Sequence, residues 1–348
     1  MYKEIIEKKF IGLDNLKFKF RSEAKDSWDN FLDSLKFGPV IYSNQELDYQ
    51  ELNRKEKKIF DTDLSLIVIF KNSPLVIFSF TLSKEHNRYC ISSYGLPVLS
   101  PLFKDDLDNK IKEKLTLIFY EILYEIASYY KIENWISSEG FINEMNISFW
   151  HKISTKKGDK IFTLNEGYIN ISKSSEELIK HLRKKKIFID IKRAKDLWVT
   201  HIRNNVTFNE WEKFKKLHIQ VSGKQTRSDK TWESQFQDIN NKKSFVIFLY
   251  DLKKLIGGAM YRYSKTTALY AIGAYDRNLF PKPISHLAHY EAINELKKKN
   301  INWLRMGDIP SKGDYNNPTE KEISIGLFKK KFSTDIFNKN IFIHGKNI

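Results

Sequence analysis

One order of elements runs twice through this chain of 348 residues, and a doubled order calls for two α/β layers, each burying a core of its own. In the first half a helical pattern over residues 22–35 precedes two apolar runs, 64–70 and 75–82, separated by the turn-forming Lys71-Asn72-Ser73-Pro74. A third strand over 89–94 runs into Gly95-Leu96-Pro97. Residues 105–130 then set Ile111, Leu115, Ile118, Phe119, Ile122 and Ile126 at helical spacing, and 132–137 reads as the next strand. The second half repeats the plan with helices over 208–219 and 232–239, then strands over 245–250 and 255–263 joined by the turn 251–254. A third strand over 269–274, a proline-bearing loop, a helix over 285–299, a strand over 302–306, a helix over 320–332 and a last strand around Ile341 complete it. The pattern predicts an α/β (α+β) fold of two tandem domains, each a mixed, mostly antiparallel sheet flanked by helices. The domains are expected at 1–170 and 206–348, with a basic helical segment, 171–205, between them.

That segment holds ten Lys and Arg against four Asp and Glu, a surplus of six centred on His181-Leu182-Arg183-Lys184-Lys185-Lys186. A solvated helix tolerates such a run, whereas a helix at a domain cleft uses it to hold phosphate; Arg183 is the side chain expected to make that contact. The whole chain carries 59 Lys and Arg against 43 Asp and Glu, a net charge of +16, which suits an anionic partner: a phosphate-bearing small molecule or precursor, tRNA or other RNA, or an acidic membrane surface. The single cysteine, Cys90, excludes an intramolecular disulfide and a cysteine-ligated metal, and points to a reducing, cytoplasmic setting. The apolar runs are too short to cross a bilayer, which takes about 18 or more residues, so membrane contact is expected to be at most peripheral.

Several motif classes drop out. Ser222-Gly223-Lys224-Gln225-Thr226 lacks the upstream glycine and the following hydroxyl of a phosphate loop, and no H-E-x-x-H or G-x-S-x-G is present. His286 and His289 stand three apart on a helix without a carboxylate at matching spacing, so no metal is expected. What remains lies between His218 and Phe332: the run from His218 to Arg227, then Thr231-Trp232-Glu233-Ser234-Gln235, Gly257-Gly258, Gly273-Ala274-Tyr275-Asp276-Arg277, Pro283 with His286, Gly307-Asp308, and Phe328-Lys329-Lys330-Lys331-Phe332. These residues resemble the FemAB-like branch of the GNAT acetyltransferase superfamily, whose members carry two GNAT domains in one chain and join an acyl or aminoacyl group to an amine. The F-K-x-x-F at Phe328 and the Gly-Ala-Tyr-Asp-Arg strand end are similar to the BioF2-like acetyltransferase subgroup.

The resemblance implies two tandem GNAT-like domains and an N-acyltransferase acting on an amine of a cell-envelope or polysaccharide precursor, without a metal. Its donor would be acyl-CoA or an aminoacyl-tRNA. GNAT enzymes that use acetyl-CoA usually grip the pyrophosphate with a Q/R-x-x-G-x-G/A loop, but residues 276–285 contain no glycine. Amide formation needs a carbonyl held against an amine, stabilisation of the oxyanion and a route for the amine proton. Lys329, fixed beside Phe328 and Phe332, suits the oxyanion or a phosphate; Asp276 and Arg277 suit orientation of the amine and clamping of an anion. His218, Arg227, Trp232, Gln235, His286, Asp308, Phe328 and Arg183 are the expected substrate- or donor-binding residues. Gly257-Gly258 within a strand suggests a bulge or close ligand approach. A non-catalytic RNA- or tRNA-binding protein using the basic inter-domain helix is the rival expectation.

Overall fold

The computed structural model describes residues 2–13, 15–140 and 147–345. Two units form. Met1–Lys36, Tyr42–Leu164 and Asn338–Ile348 make the first, and Phe37–Ile41 with Asn165–Phe337 the second. The division therefore departs from two contiguous domains at both ends of the chain.

The first unit contains α1 (Tyr2–Phe10), β1 (Leu16–Phe20), α2 (Lys25–Ser34), α3 (Asn44–Lys55), β2 (Asp61–Asp63), β3 (Leu66–Phe70), β4 (Ser73–Phe78), β5 (Thr81–Glu85), β6 (Arg88–Ser92), β7 (Val98–Leu99), β8 (Leu102–Phe103), α4 (Asn109–Tyr129), β9 (Asn134–Glu139) and α5 (Phe149–Lys157). The hairpin β3–β4 turns on Lys71 and Asn72 alone, both at positive φ (46° and 67°), the two-residue geometry that matches strand twist; Pro74 falls inside β4. The apolar run 75–82, expected as one strand, is two. β4 stays in the sheet β1-β3-β4-β8, while β5 joins the separate sheet β2-β5-β6. Between them Ser79 is buried and its hydroxyl lies 3.0 Å from that of Ser93, a hydrogen bond that a turned chain satisfies away from the ladder. Helix α3 was not expected, because its buried side chains include Asn44, Gln45 and Glu46 rather than an apolar stripe; Ser43 caps it by accepting from Glu46 N (3.2 Å). Its anchor is Arg21, buried, which donates to Asp63 (2.8 Å), Asp48 (2.8 Å), Asn44 (3.0 Å) and Tyr94 (2.7 Å).

The second unit continues with β10 (Lys160–Asn170), α6 (Ser175–Lys184), α7 (Ile187–Leu197), β11 (Val199–Arg203), α8 (Phe208–Ser222), α9 (Asp229–Asn240), β12 (Ser244–Asp251), β13 (Lys254–Tyr263), β14 (Thr267–Tyr275), α10 (Ile284–Lys298), β15 (Trp303–Asp308), α11 (Glu320–Phe332) and β16 (Asp335–Gly345). Its strands lie in the order β11-β12-β13-β14-β15-β10, antiparallel except for β14 beside β15. Side chains alternate along β12, so Phe245, Ile247 and Leu249 enter a core with α6, α7 and α10, whereas Val246 and Phe248 enter a second core with α8 and α9. The segment 171–205, expected as a link between domains, is part of this unit. Leu178, Leu182, Ile187, Ile191, Ala194 and Trp198 bury its apolar face in the first of those cores, and its charges occupy the other face.

The tail of β16 belongs to the first unit, not to the second half as expected. It pairs antiparallel with β9, from Asn340 opposite Glu139 to Gly345 opposite Asn134. Buried His344 explains the choice: its Nδ1 lies 2.7 Å from Asp159 Oδ2, its Nε2 lies 2.7 Å from Ser137 Oγ, and its ring stacks on Trp135 at 3.6 Å. Tyr120 and Tyr124 also donate to Asp159, so the buried carboxylate is answered on every side.

Candidate active site

The site lies where a parallel pair of strands comes apart. β14 and β15 pair through Thr267–Trp303, Ala268–Leu304 and Leu269–Arg305; on its other edge β15 pairs with β10 from Trp303 opposite Asn170 to Asp308 opposite Glu166, so beyond Arg305 only the β10 side stays paired. β14 carries a bulge at the same level: Tyr270 faces Tyr261 and Ile272 faces Met260, leaving Ala271 unmatched.

Lys329 reaches this opening from the last turn of α11. The helix starts at a capping box of Thr319 and Glu322, and it approaches the preceding loop closely because residue 326 is glycine; a Cβ there would stand 2.7 Å from Pro310 Cδ. At Gly307, where φ is +98°, a Cβ would stand 3.1 Å from Lys329 Nζ. The ammonium therefore lies over the bare backbone at the end of β15, and Lys329 O accepts from Ser333 Oγ (2.9 Å).

Behind it is an aromatic wall. Phe328 and Phe332, with centroids 5.3 Å apart, each pack against His286 (5.2 and 5.6 Å) and His289 (5.6 and 5.2 Å), and Tyr270 meets His289 edge-on at 4.8 Å. Tyr261 OH lies 2.8 Å from His289 Nδ1. Burial pushes His289 down to about 3, helped by the neighbouring His286 ring and the Lys329 ammonium, so the imidazole is neutral. Burial also lowers His286, against the pull of the Asp190 carboxylate 3.9 Å away, and its Nδ1 meets no partner among the described residues. On the β10 side Arg305 donates to Glu166 (Nε–Oε1 2.7 Å), and Tyr168 donates to the other oxygen (2.5 Å); Glu166 and Asp308 together hold the guanidinium charged.

Of the expected residues, Lys329, Phe328 and His286 converge here, and Asp308 directly follows Gly307. Asp276 and Arg277 do not. Asp276 caps the turn Arg277–Leu279, accepting from Asn278 N (3.1 Å) and from Lys254 Nζ (3.3 Å), and Arg277 is exposed. Counted from the shared register, Asp276 lies four to five residues further along than Gly307, roughly 13–16 Å at about 3.3 Å per residue. His218, Arg227, Trp232 and Gln235 gather instead on the sheet face covered by α8 and α9: Arg227 Nη1 lies 3.1 Å from His218 Nε2, and the His218 ring meets Trp232 at 5.3 Å. Arg183 is exposed, its guanidinium 5.1 Å from the Phe188 ring. Gly257 and Gly258 make room for Tyr275 and Phe214, beside a bulge that leaves Ile256 unmatched. Tyr261, Tyr270, Arg305 and Glu166 were not singled out from the sequence, where they read as ordinary strand and helix residues, and His289 was weighed there only with His286 as a metal pair.

Several amides of the loop into α10 are bonded within the loop. Phe280 N, Lys282 N, Ile284 N and His286 N bond to carbonyls of Arg277, Leu279, Lys282 and Pro283. No helix among the described residues is long and apolar enough to cross a membrane, and no three His, Cys, Asp or Glu side chains among them gather to hold a metal.

No protein-family model matches the sequence, and no curated protein matches it. Solved structures do. FemX superposes over 90% of this chain and 95% of its own, with a TM-score of 0.66 at 12% identity. The chain has the FemX fold. The C-terminal domain of a putative lysylphosphatidylglycerol synthetase from Agrobacterium fabrum matches over 93% of this chain and 92% of its own, with a TM-score of 0.57 at 9% identity. L-PGS from Bacillus licheniformis matches over 78% and 82%, with a TM-score of 0.51 at 13% identity. The expected FemAB-like fold is therefore borne out, and likeness at such identities establishes the fold alone.

Proposed function

We propose that this protein is an N-acyltransferase that joins an acyl or aminoacyl group to an amine of a cell-envelope or polysaccharide precursor carrying phosphate. The observation that carries the reading is Lys329, whose ammonium lies over Gly307 at the parting of β14 and β15, against a wall of neutral aromatic and imidazole rings. A donor carbonyl placed there would develop its negative charge beside a fixed cation in a site of low dielectric. The amine nitrogen attacks the carbonyl carbon, the ester or thioester bond breaks, and the leaving oxygen or sulfur takes up a proton. His286, kept neutral by burial and packed on Phe328 and Phe332, is the group we assign to accept the proton released by the amine. The FemX fold, and a neighbour named for lysylphosphatidylglycerol synthesis, support an envelope precursor with a phosphate as acceptor. The internally bonded amides before α10 favour a donor that is not gripped there through a pyrophosphate, which points to aminoacyl-tRNA over acyl-CoA.

The test is amide formation by the purified protein, with aminoacyl-tRNA and acetyl-CoA supplied separately and a panel of amine-bearing phosphorylated envelope precursors as acceptors. A new amide detected by mass spectrometry, and lost in Lys329→Met, is the expected result. Wild-type protein that forms no amide from either donor would refute the proposal.

A further inference from the structure

The basic run near the start of the second unit takes no part in the acyl-transfer reading. From residue 178 to 195 it carries eight Lys and Arg against one carboxylate, Asp190. Helices α6 and α7 bury Leu178, Leu182, Ile187 and Ile191, and the chain turns between them at Lys186, where φ is +60°. Lys180, residues 183–186, Lys192 and Arg193 stay exposed. Asp190 is already engaged, with one oxygen 3.9 Å from His286 Nε2 and the other 4.0 Å from Arg193 Nη1. Lys195 meets Glu291 at 3.2 Å, and the remaining cations of the run have no carboxylate within 4.0 Å among the described residues.

An apolar point stands among these charges. Ile189 is 59% exposed, and Lys192 and Arg193 follow it by three and four positions, the spacing that sets them on its side of α7. The neighbouring Phe188 packs on the core and holds Arg183 and Lys192 at 5.1 and 5.4 Å from its ring centroid, so cations of both helices gather around one place. Such charges repel one another, and an anionic surface laid against them relieves that cost.

The cations alone would suit any polyanion, and Ile189 decides between them. Isoleucine has no π face on which a base could stack, and Phe188 already carries two cations, so the corner lacks the open aromatic platform that single-stranded nucleic acid uses. A bilayer of anionic lipid uses both features, because its phosphates meet the Lys and Arg side chains while an apolar side chain enters the boundary between headgroups and acyl chains. We propose that the corner of α6 and α7 docks this protein on an anionic phospholipid surface, with Ile189 entering it. The surface goes beyond the acyl-transfer reading and does not rest on it.

Sedimentation of the full-length protein with vesicles tests the proposal without any acyl donor or acceptor. One set is phosphatidylcholine alone and the other equal parts of phosphatidylcholine and phosphatidylglycerol. The mixed vesicles should bind at least about tenfold more tightly, and the preference should fade as salt is raised. A cation near such a surface strengthens binding about fivefold, so the double variant Lys184→Gln, Lys186→Gln should weaken it about twentyfold. Ile189→Asn should weaken it about tenfold by removing the buried apolar contact. These side chains already face solvent, so melting temperatures should stay within about 2 °C of the wild type. Equal binding to the two kinds of vesicle overturns the proposal without recourse to any variant, and undiminished binding in either variant overturns the placement of the contact at this corner. Tighter binding to oligouridylate than to the mixed vesicles, indifferent to Ile189→Asn, would make the corner a nucleic-acid surface and overturn it as well.

Discussion

Replacing Gly307 by alanine should disturb the fold and the Lys329 site by two routes that separate experimentally. The backbone there has φ of +98°, where an L side chain is strained, and such a residue costs about 1–3 kcal/mol. For a unit of this size each kcal/mol lowers the melting temperature by about 2–4 °C, so a fall of roughly 2–12 °C is expected. The second route is local. The new Cβ would stand 3.1 Å from Lys329 Nζ, inside the ~3.5–4.0 Å that such atoms prefer, so the ammonium has to move by roughly half an ångström. If it stabilises an oxyanion from above Gly307, a displacement of that size should lower kcat by about three- to thirtyfold, with KM little changed. Lys329→Met is the companion variant: kcat should fall about tenfold to a thousandfold with the melting temperature unaltered, since no strain is introduced. Thermal unfolding by circular dichroism and initial-rate kinetics of amide formation give both readings. Wild-type kcat in Gly307→Ala beside an impaired Lys329→Met would refute the placement of the ammonium, and a wild-type melting temperature would refute the strained glycine.

Asp276→Asn should change kcat by less than about threefold, because Asp276 serves a turn and Lys254; a loss above about a hundredfold in the same assay would return it to the reacting groups. Stability should also fall on acidification. His289 has a folded-state value near 3 against an ordinary 6.5, so below about pH 6.5 the unfolded chain takes up a proton that the folded protein refuses, down to about pH 3. Melting temperatures measured from pH 8 to pH 4 should decline less steeply in His289→Gln than in the wild type, and identical slopes would contradict this. Arg21→Met should destabilise the first unit by about 3–5 kcal/mol, because it leaves Asp63 and Asn44 without their donor; a denaturant-unfolding change under about 1 kcal/mol would show that Arg21 is not the anchor.

Much of the second unit was legible because its elements follow simple periods. β12 through β15 and α10 appear close to where alternation and helical spacing put them. The first unit was less legible for identifiable reasons. Helix α3 buries polar groups against Arg21, so hydrophobic periodicity passes over it, and the corner at Ser79 lies within an unbroken apolar run. Membership of the β16 tail rests on His344, Asp159 and Ser137, residues far apart in sequence that carry no pairing signal. The Asp276-Arg277 pair poses a different difficulty. A charged pair after a strand reads the same whether it caps a turn or faces a substrate, and only its partners distinguish the two.

The Gly-Ala-Tyr stretch before Asp276 owes its composition to the bulge at Ala271. Strict alternation would place Tyr270 with Ile272 and Ala274, on the face covered by α8 and α9. The unmatched residue shifts the alternation, so Tyr270 and Tyr275 both join the α10 face although five positions separate them, while Ile272 and Ala274 line the other. Two tyrosines so close on one face need space, and glycines supply it. The Tyr270 hydroxyl occupies the place that a Cβ of residue 273 would take, and a Cβ at residue 257 would stand 2.7 Å from Tyr275 Cδ1. Tyr270 is in turn the ring that meets His289, the imidazole set behind Lys329. In the proposed site the strand-end motif thus acts through its glycines and tyrosines, by building the wall of rings beside half-buried Lys329, and the aspartate and arginine that follow close the turn into α10.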